Sequence, residues 1–185
     1  MRTRGQTTVD FTLGVVVFIV AILFVFAFVP GILSPFALSG SEEPALSDRI
    51  ADSLAQGTLG GPDNPHELDR YCAVEFFNDS RTTAPADCRY GDGPIGERLN
   101  LDTTQQINVT LETDLDGSGD NELLCWEPEV AVNGPALREA GNCVAASSVT
   151  LATGDNPPVD RDSTVTSRRV VSLHGQTVTL EVVVW

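Results

Sequence analysis

Residues 11–29 read FTLGVVVFIVAILFVFAFV, an uncharged run of 19 residues whose one hydroxyl is Thr12. A helix rises about 1.5 Å per residue, so this run spans roughly 28 Å, close to the ~30 Å hydrocarbon core of a bilayer. It is longer than the roughly 7–15-residue apolar region of a secretory signal, and no A-x-A site follows it, so cleavage after the helix is not expected. Pro30-Gly31 and Ser34-Pro35 come next. Proline removes a backbone donor, which predicts that the helix bends or ends near Pro30.

Charge sets a direction for that helix. The chain carries −15 over 185 residues. Arg2 and Arg4 outweigh Asp10 in the leader, whereas the far flank is acidic (Glu42, Glu43, Asp48). Basic residues are retained on the cytoplasmic side, so the N-terminus is expected inside and the large domain outside. An acidic excess excludes nucleic acid as a partner class, because phosphate binding needs a basic surface. It also disfavours a domain lying flat on anionic lipid. All eleven basic residues are arginine. Dense carboxylates without lysine point to a halophilic proteome, where salt screens their repulsion. A GC-rich genome, which favours Arg codons, is the other reading.

Residues 39–185 are enough for one domain with a core. Its four cysteines are Cys72, Cys88, Cys125 and Cys143; there is no CxxC pair, and His66 and His174 lack zinc-finger spacing. An even count outside the cytoplasm favours two disulfides. Three connectivities are open, and the sequential one is our expectation. Each such loop would contribute about 3 kcal/mol in the chain-entropy picture. Asn78-Asp79-Ser80 and Asn108-Val109-Thr110 are N-glycosylation sequons.

Periodicity outlines the domain. Leu46, Ile50 and Leu54 recur at helical spacing, giving a short amphipathic helix that ends near Gly57. Asn64-Pro65-His66-Glu67 offers a cap, a proline at the first helical position and an acid two residues on, predicting a second helix to about Phe77 that carries Tyr71 and Cys72 inward. Residues 78–96 read as loop. From residue 101 the period becomes two. Ile107, Val109 and Leu111 alternate with Asn108, Thr110 and Glu112, a half-buried strand that would leave Asn108 on the solvent side, open to a glycan. Residues 130–132 and 147–152 are weaker strands. Thr164–Leu173 and Gln176–Trp185 flank His174-Gly175, a hairpin turn. Val178, Leu180, Val182 and Val184 would face the core, with the last strand inside the sheet. Trp126 is expected to pack in the core against the disulfide of its neighbour Cys125.

The residues ahead of the apolar run carry the sharpest signal. Arg4-Gly5-Gln6-Thr7-Thr8-Val9-Asp10-Phe11 resembles the archaeal class III signal peptide of type IV pilin-like proteins, over about the first 30 residues. That resemblance implies that a prepilin-type peptidase cuts after Gly5 and that Gln6 becomes the mature N-terminus. Thr8 and Asp10 fall on the third and fifth mature positions, where the family has Ser or Thr and an acid. Asp10 departs from the usual Glu, keeping the charge with a shorter reach. A carboxylate at the edge of hydrocarbon is costly. The freed amine of a neighbouring subunit's Gln6 would neutralise it and set the stagger of stacked helices. Other pilin-like subunits, or further copies of this chain, are the implied partners. The alternative is an uncleaved single-pass anchor of a surface binding protein that never polymerises, with Asp10 snorkelling to the cytoplasmic interface.

Asp114, Asp116, Ser118, Asp120 and Glu122 alternate through a loop with Gly119 at its sixth position, resembling an EF-hand-type calcium loop. Its twelfth position is Cys125, not a bidentate Glu, and strands rather than helices flank it. A solvated acidic turn is expected, with calcium as the alternative and no other cofactor implied. No GxSxG, HExxH or P-loop pattern is present, and His174 and His66 read as turn and first-turn residues. No enzyme activity is expected. The fold expected is α+β: a leader (1–5), a transmembrane helix with its exit kink (6–38) and a mostly antiparallel extracytoplasmic domain with short helices (39–185).

Overall fold

A computed structural model describes residues 6–33, 42–61, 63–101, 105–128, 136–158 and 164–185. Two compact units divide the chain, residues 1–40 and 41–185.

The first unit is helix α1, Gln6–Leu33. Within it, Val9–Phe28 is long and apolar enough to cross a membrane, and none of it is buried by protein. α1 continues a turn beyond Pro30 rather than stopping there. One missing donor near a helix end costs a single intrahelical bond, in a turn whose last carbonyls have no helical partner anyway. Gly5 and the exit segment 34–41 lie outside the described residues.

The second unit is α+β. Helix α2 (Glu42–Ser53) runs into a π-helical turn, Leu54–Thr58, in which the Leu59 N–H reaches back to Leu54 at 3.1 Å. Ile50, Ala51, Leu54 and Ala55 are buried and Leu46 half-buried, as helical spacing predicts. Next come β1 (Glu67–Leu68), α3 (Arg70–Phe76) and α4 (Ile95–Arg98). Seven strands follow among the described residues: β2 (Ile107–Thr113), β3 (Glu122–Trp126), β4 (Leu137–Glu139), β5 (Val149–Thr150), β6 (Ala152–Gly154) and the hairpin of β7 (Val165–Leu173) with β8 (Gln176–Val184). Their order is β1-β7-β8-β2-β3-β4, with β5 on β3 and β6 on β2. Only β1–β7 is parallel among these pairings.

β8 lies between β7 and β2, so its alternation becomes the core: Val178, Leu180, Val182 and Val184 are all at most 1 % exposed. Ile107, Val109 and Leu111 of β2 join them, and α2 packs on β7 and β8. His174 and Gly175 both have positive φ (54° and 77°), the requirement of a tight two-residue hairpin. Gly154 (φ 103°) admits no side chain, because a Cβ there would lie 2.1 Å from the Ile107 carbonyl oxygen.

Three local readings need correction. The second helix begins at Arg70, not Pro65: Asp69 is its cap, accepting the Cys72 N–H at 2.8 Å, and Glu67–Leu68 is instead drawn into the sheet beside β7. His66 therefore sits in a left-handed turn (φ 69°), not a helix. Tyr71 points outward, 50 % exposed, while Cys72 points inward, since neighbours on a helix diverge by about 100°. The strand expected at 130–132 lies outside the described residues, and the one at 147–152 resolves into β5 and β6.

Candidate functional site

Two regions carry the residues singled out by sequence: the start of α1 and the β2–β3 loop.

α1 is already helical at Gln6, and Asp10 lies one turn further on, exposed at the head of the apolar span. No basic residue accompanies it inside Val9–Phe28. Gly14, one turn beyond Asp10, has nothing within 4 Å of where a Cβ would be. A neighbouring helix could approach the backbone closely there. Phe24 and Phe28 stack at 4.5 Å along one face, leaving both rings exposed.

The β2–β3 loop folds onto its own first residue. Asp114 accepts N–H groups from Gly117 (2.7 Å), Ser118 (3.1 Å) and Gly119 (2.9 Å). These backbone donors, the Gly119 N–H foremost, hold its carboxyl below the usual carboxylate range. Asp116 accepts a second bond from the Ser118 N–H at 2.8 Å. Gly117 and Gly119 take positive φ (79° and 97°), which lets successive N–H groups converge. Among the described residues, the carboxylates within 4.8 Å of one another are Asp114, Asp116 and Glu139. Glu139 comes from β4 and is buried, with its oxygens taking the Asp116 N–H (3.1 Å) and the Asn142 amide (3.1 Å). Ser118, Asp120 and Glu122 stand outside this trio. Glu139 also raises the Glu122 carboxyl above its ordinary range by like-charge repulsion. The spacing rule therefore found two of three members. The third arrives through the β3–β4 pairing of Leu124 with Glu139, which no local pattern encodes. The loop's own amides already consume acceptor capacity on Asp114, the mark of a self-capped acidic turn.

The cysteines pair sequentially, Cys72 with Cys88 and Cys125 with Cys143, at Cα separations of 5.5 and 6.4 Å. The two sequons separate sharply. Asn108 is not on a solvent face: it is 8 % exposed, and its Nδ2 donates to the Asp155 carbonyl at 3.0 Å. It shares the second face of the sheet with Val183 and Trp185, both also buried, so this end of that face is covered. Asn78 is half-buried, in a turn whose next two residues are exposed. Trp126 is buried as expected, with His174 edge-on at 5.4 Å and the Arg70 guanidinium 5.7 Å from its ring. His174 also borders an open groove of about 520 Å³ shared with Asp63, Asn64, Glu67, Arg70 and Tyr71.

Two buried charges were not legible in the sequence. Arg98 donates to the carbonyls of Gly93 (2.7 Å), Arg81 (2.8 Å) and Phe76, stitching together the loop after α3. Glu127, fully buried, accepts the Val144 and Ala145 N–H groups at 3.2 and 2.7 Å, which pins the segment after Cys143 to the end of β3.

A family described as of unknown function, DUF7287, matches residues 2–185. The chain belongs to the DUF7287 family. Its match takes in the residues ahead of α1, the apolar helix and the folded domain together. No curated protein and no solved structure matches it.

Proposed function

We propose that this chain is a type IV pilin-like surface subunit: cut between Gly5 and Gln6 by a prepilin-type peptidase, oriented with its domain outside the cell, and held through α1 in the membrane or in a filament. One observation carries the reading. α1 presents a fully exposed apolar span headed by a single carboxylate, Asp10, directly behind the Gly5-Gln6 junction. An acid at the lip of a hydrocarbon-length helix, with no cationic partner among the described residues, needs a cation, and the amine released at Gln6 of a neighbouring copy would supply one. The apolar helices then form a core, with the acidic domains on the outside. Two disulfides suit a domain exported to an oxidising space. The lysine-free, acid-rich sequence suits a salt-loving cell, which predicts a domain whose melting temperature rises as sodium chloride is added.

The mass of the mature N-terminus tests the reading. A chain beginning at Gln6, Gly5→Phe retaining the leader, and surface filaments that vanish on deletion are the expected results. An intact Met1–Gly5 leader makes the chain an uncleaved anchor. Processing without filaments leaves a pilin-like protein that stays in the membrane.

A further inference from the structure

We propose that Asn78 carries an N-linked glycan and that Asn108, the asparagine of the other sequon, does not. The inference rests on the outward orientation proposed above, since N-glycosylation marks surface loops of exported chains.

The two asparagines have the same local code and opposite surroundings. Asn78 opens a tight turn closed by the Arg81 N–H on the Asn78 carbonyl at 3.1 Å. The side-chain oxygen of Asn78 accepts the Ser80 N–H at 3.1 Å, so the planar amide directs its nitrogen away from the turn. That nitrogen makes no hydrogen bond to another described residue. Asp79 and Ser80 are exposed, and the Asp79 carboxylate accepts a hydrogen bond from the Thr153 hydroxyl at 2.8 Å, fixing the turn against β6. The turn is thus braced by three hydrogen bonds, beside two exposed residues, with the Asn78 amide nitrogen unbonded among the described residues.

At Asn108 that atom is spent. Its Nδ2 donates to Asp155, and the residue lies in register between Val183 of β8 and Gly154 of β6. Gly154 approaches β2 too closely to allow even a methyl group. A sugar on Asn108 would have to break the Asp155 bond and part the sheet at β6, so a folded chain is one unmodified at this position.

The transfer needs a lipid-phosphate-linked oligosaccharide as donor. The Asn78 amide nitrogen attacks the anomeric carbon. The new N–C bond forms as the C–O bond to phosphate breaks, the lipid phosphate leaves with the electron pair, and one amide proton passes to a base of the transferase. Nothing is oxidised or reduced.

The test is peptide-level mass spectrometry of the full chain purified from membranes of cells that make it naturally. Ser80→Ala removes the sequon hydroxyl but leaves Asn78 and its bond to the residue 80 N–H, and thermal melting of each variant checks folding. Expected are saccharide mass on the Asn78 peptide in the wild type and in Ser80→Thr, complete loss in Ser80→Ala, no change with Thr110→Val, and a bare Asn108 peptide throughout. A bare Asn78 peptide, or sugar on Asn108, overturns the assignment. Protease treatment of intact cells separates this from the orientation reading: a bare Asn78 in a cleavable domain sinks the glycan alone, whereas a protected domain with bare Asn78 sinks both.

Discussion

Leu23 of α1 is 62 % exposed and Leu180 of β8 is 0 % exposed. The residues are chemically the same, and the backbones carrying them make the difference. A helix satisfies its own N–H and C=O groups, so α1 can present an apolar surface to whatever will cover it, lipid or a neighbouring helix. A strand has no internal partners. β8 completes its hydrogen bonds only by pairing with β7 and β2, and that same act brings Leu180 into a core. One unit is finished as a structure but not as a surface; the other is finished as both.

The largest expected break is at Arg98. Arg98→Ala strands the carbonyls of Gly93, Arg81 and Phe76, and should cost about 4 kcal/mol in denaturant unfolding of the full chain in detergent. Arg98→Lys should recover little, because an ammonium cannot span three divergent acceptors. The helicity of α1 should not change. Next comes the direct comparison. Leu180→Ala should cost the domain about 3 kcal/mol by the same measurement, and Leu23→Ala no more than about 0.5 kcal/mol. Equal losses would mean that α1 is covered by the domain rather than left for another partner.

Smaller effects sharpen the electrostatics of the domain. Burial raises the Glu112 carboxyl above its ordinary 4.5, with repulsion from Glu181 adding to it. The folded state thus holds that proton more tightly than the unfolded chain, and stability falls as pH rises through this window. Glu112→Gln should stabilise at pH 7 by about 0.5 kcal/mol and make no difference below about pH 4. Asp52 shows the opposite sign. Its hydrogen bond from Arg169 at 2.6 Å lowers its carboxyl below 3.8. The stabilisation is complete above 3.8 and fades as acid brings the pH down through the lowered value. Arg169→Met should remove that part of the acid sensitivity in a series of melting temperatures against pH. The smallest effect is expected from calcium. The self-capped Asp114 loop should shift the melting temperature by less than about 1 °C at millimolar calcium. A larger shift abolished by Asp116→Asn would make the loop, with Glu139, a cation site.

Much of the architecture was legible because its signals are long. An uncharged 19-residue run has one meaning at helix pitch, and nine-residue strands flanking His174-Gly175 repeat their period often enough to be read. Strands of two or three residues have no period, so β1 and β4 are invisible in the sequence, and the local pattern at Glu67 points to a helix instead. Asn108 failed for a different reason. Alternation identifies a strand and its apolar face, but not whether something covers the other face. At the acidic loop, spacing found Asp114 and Asp116 and missed Glu139, whose place depends on a strand pairing.

The sequence alone determined that the chain has one hydrocarbon-length helix, an acidic domain without lysine, and a C-terminal β-hairpin with its core face named residue by residue. Each of these follows from local spacing or from charge, which need no partner to be defined. Only the tertiary structure decided which sequon is open, which carboxylates meet, and that Arg98 and Glu127 are buried anchors rather than surface charges. Those properties belong to groups far apart in the chain, and a side chain's chemistry is settled by the neighbours that folding delivers to it.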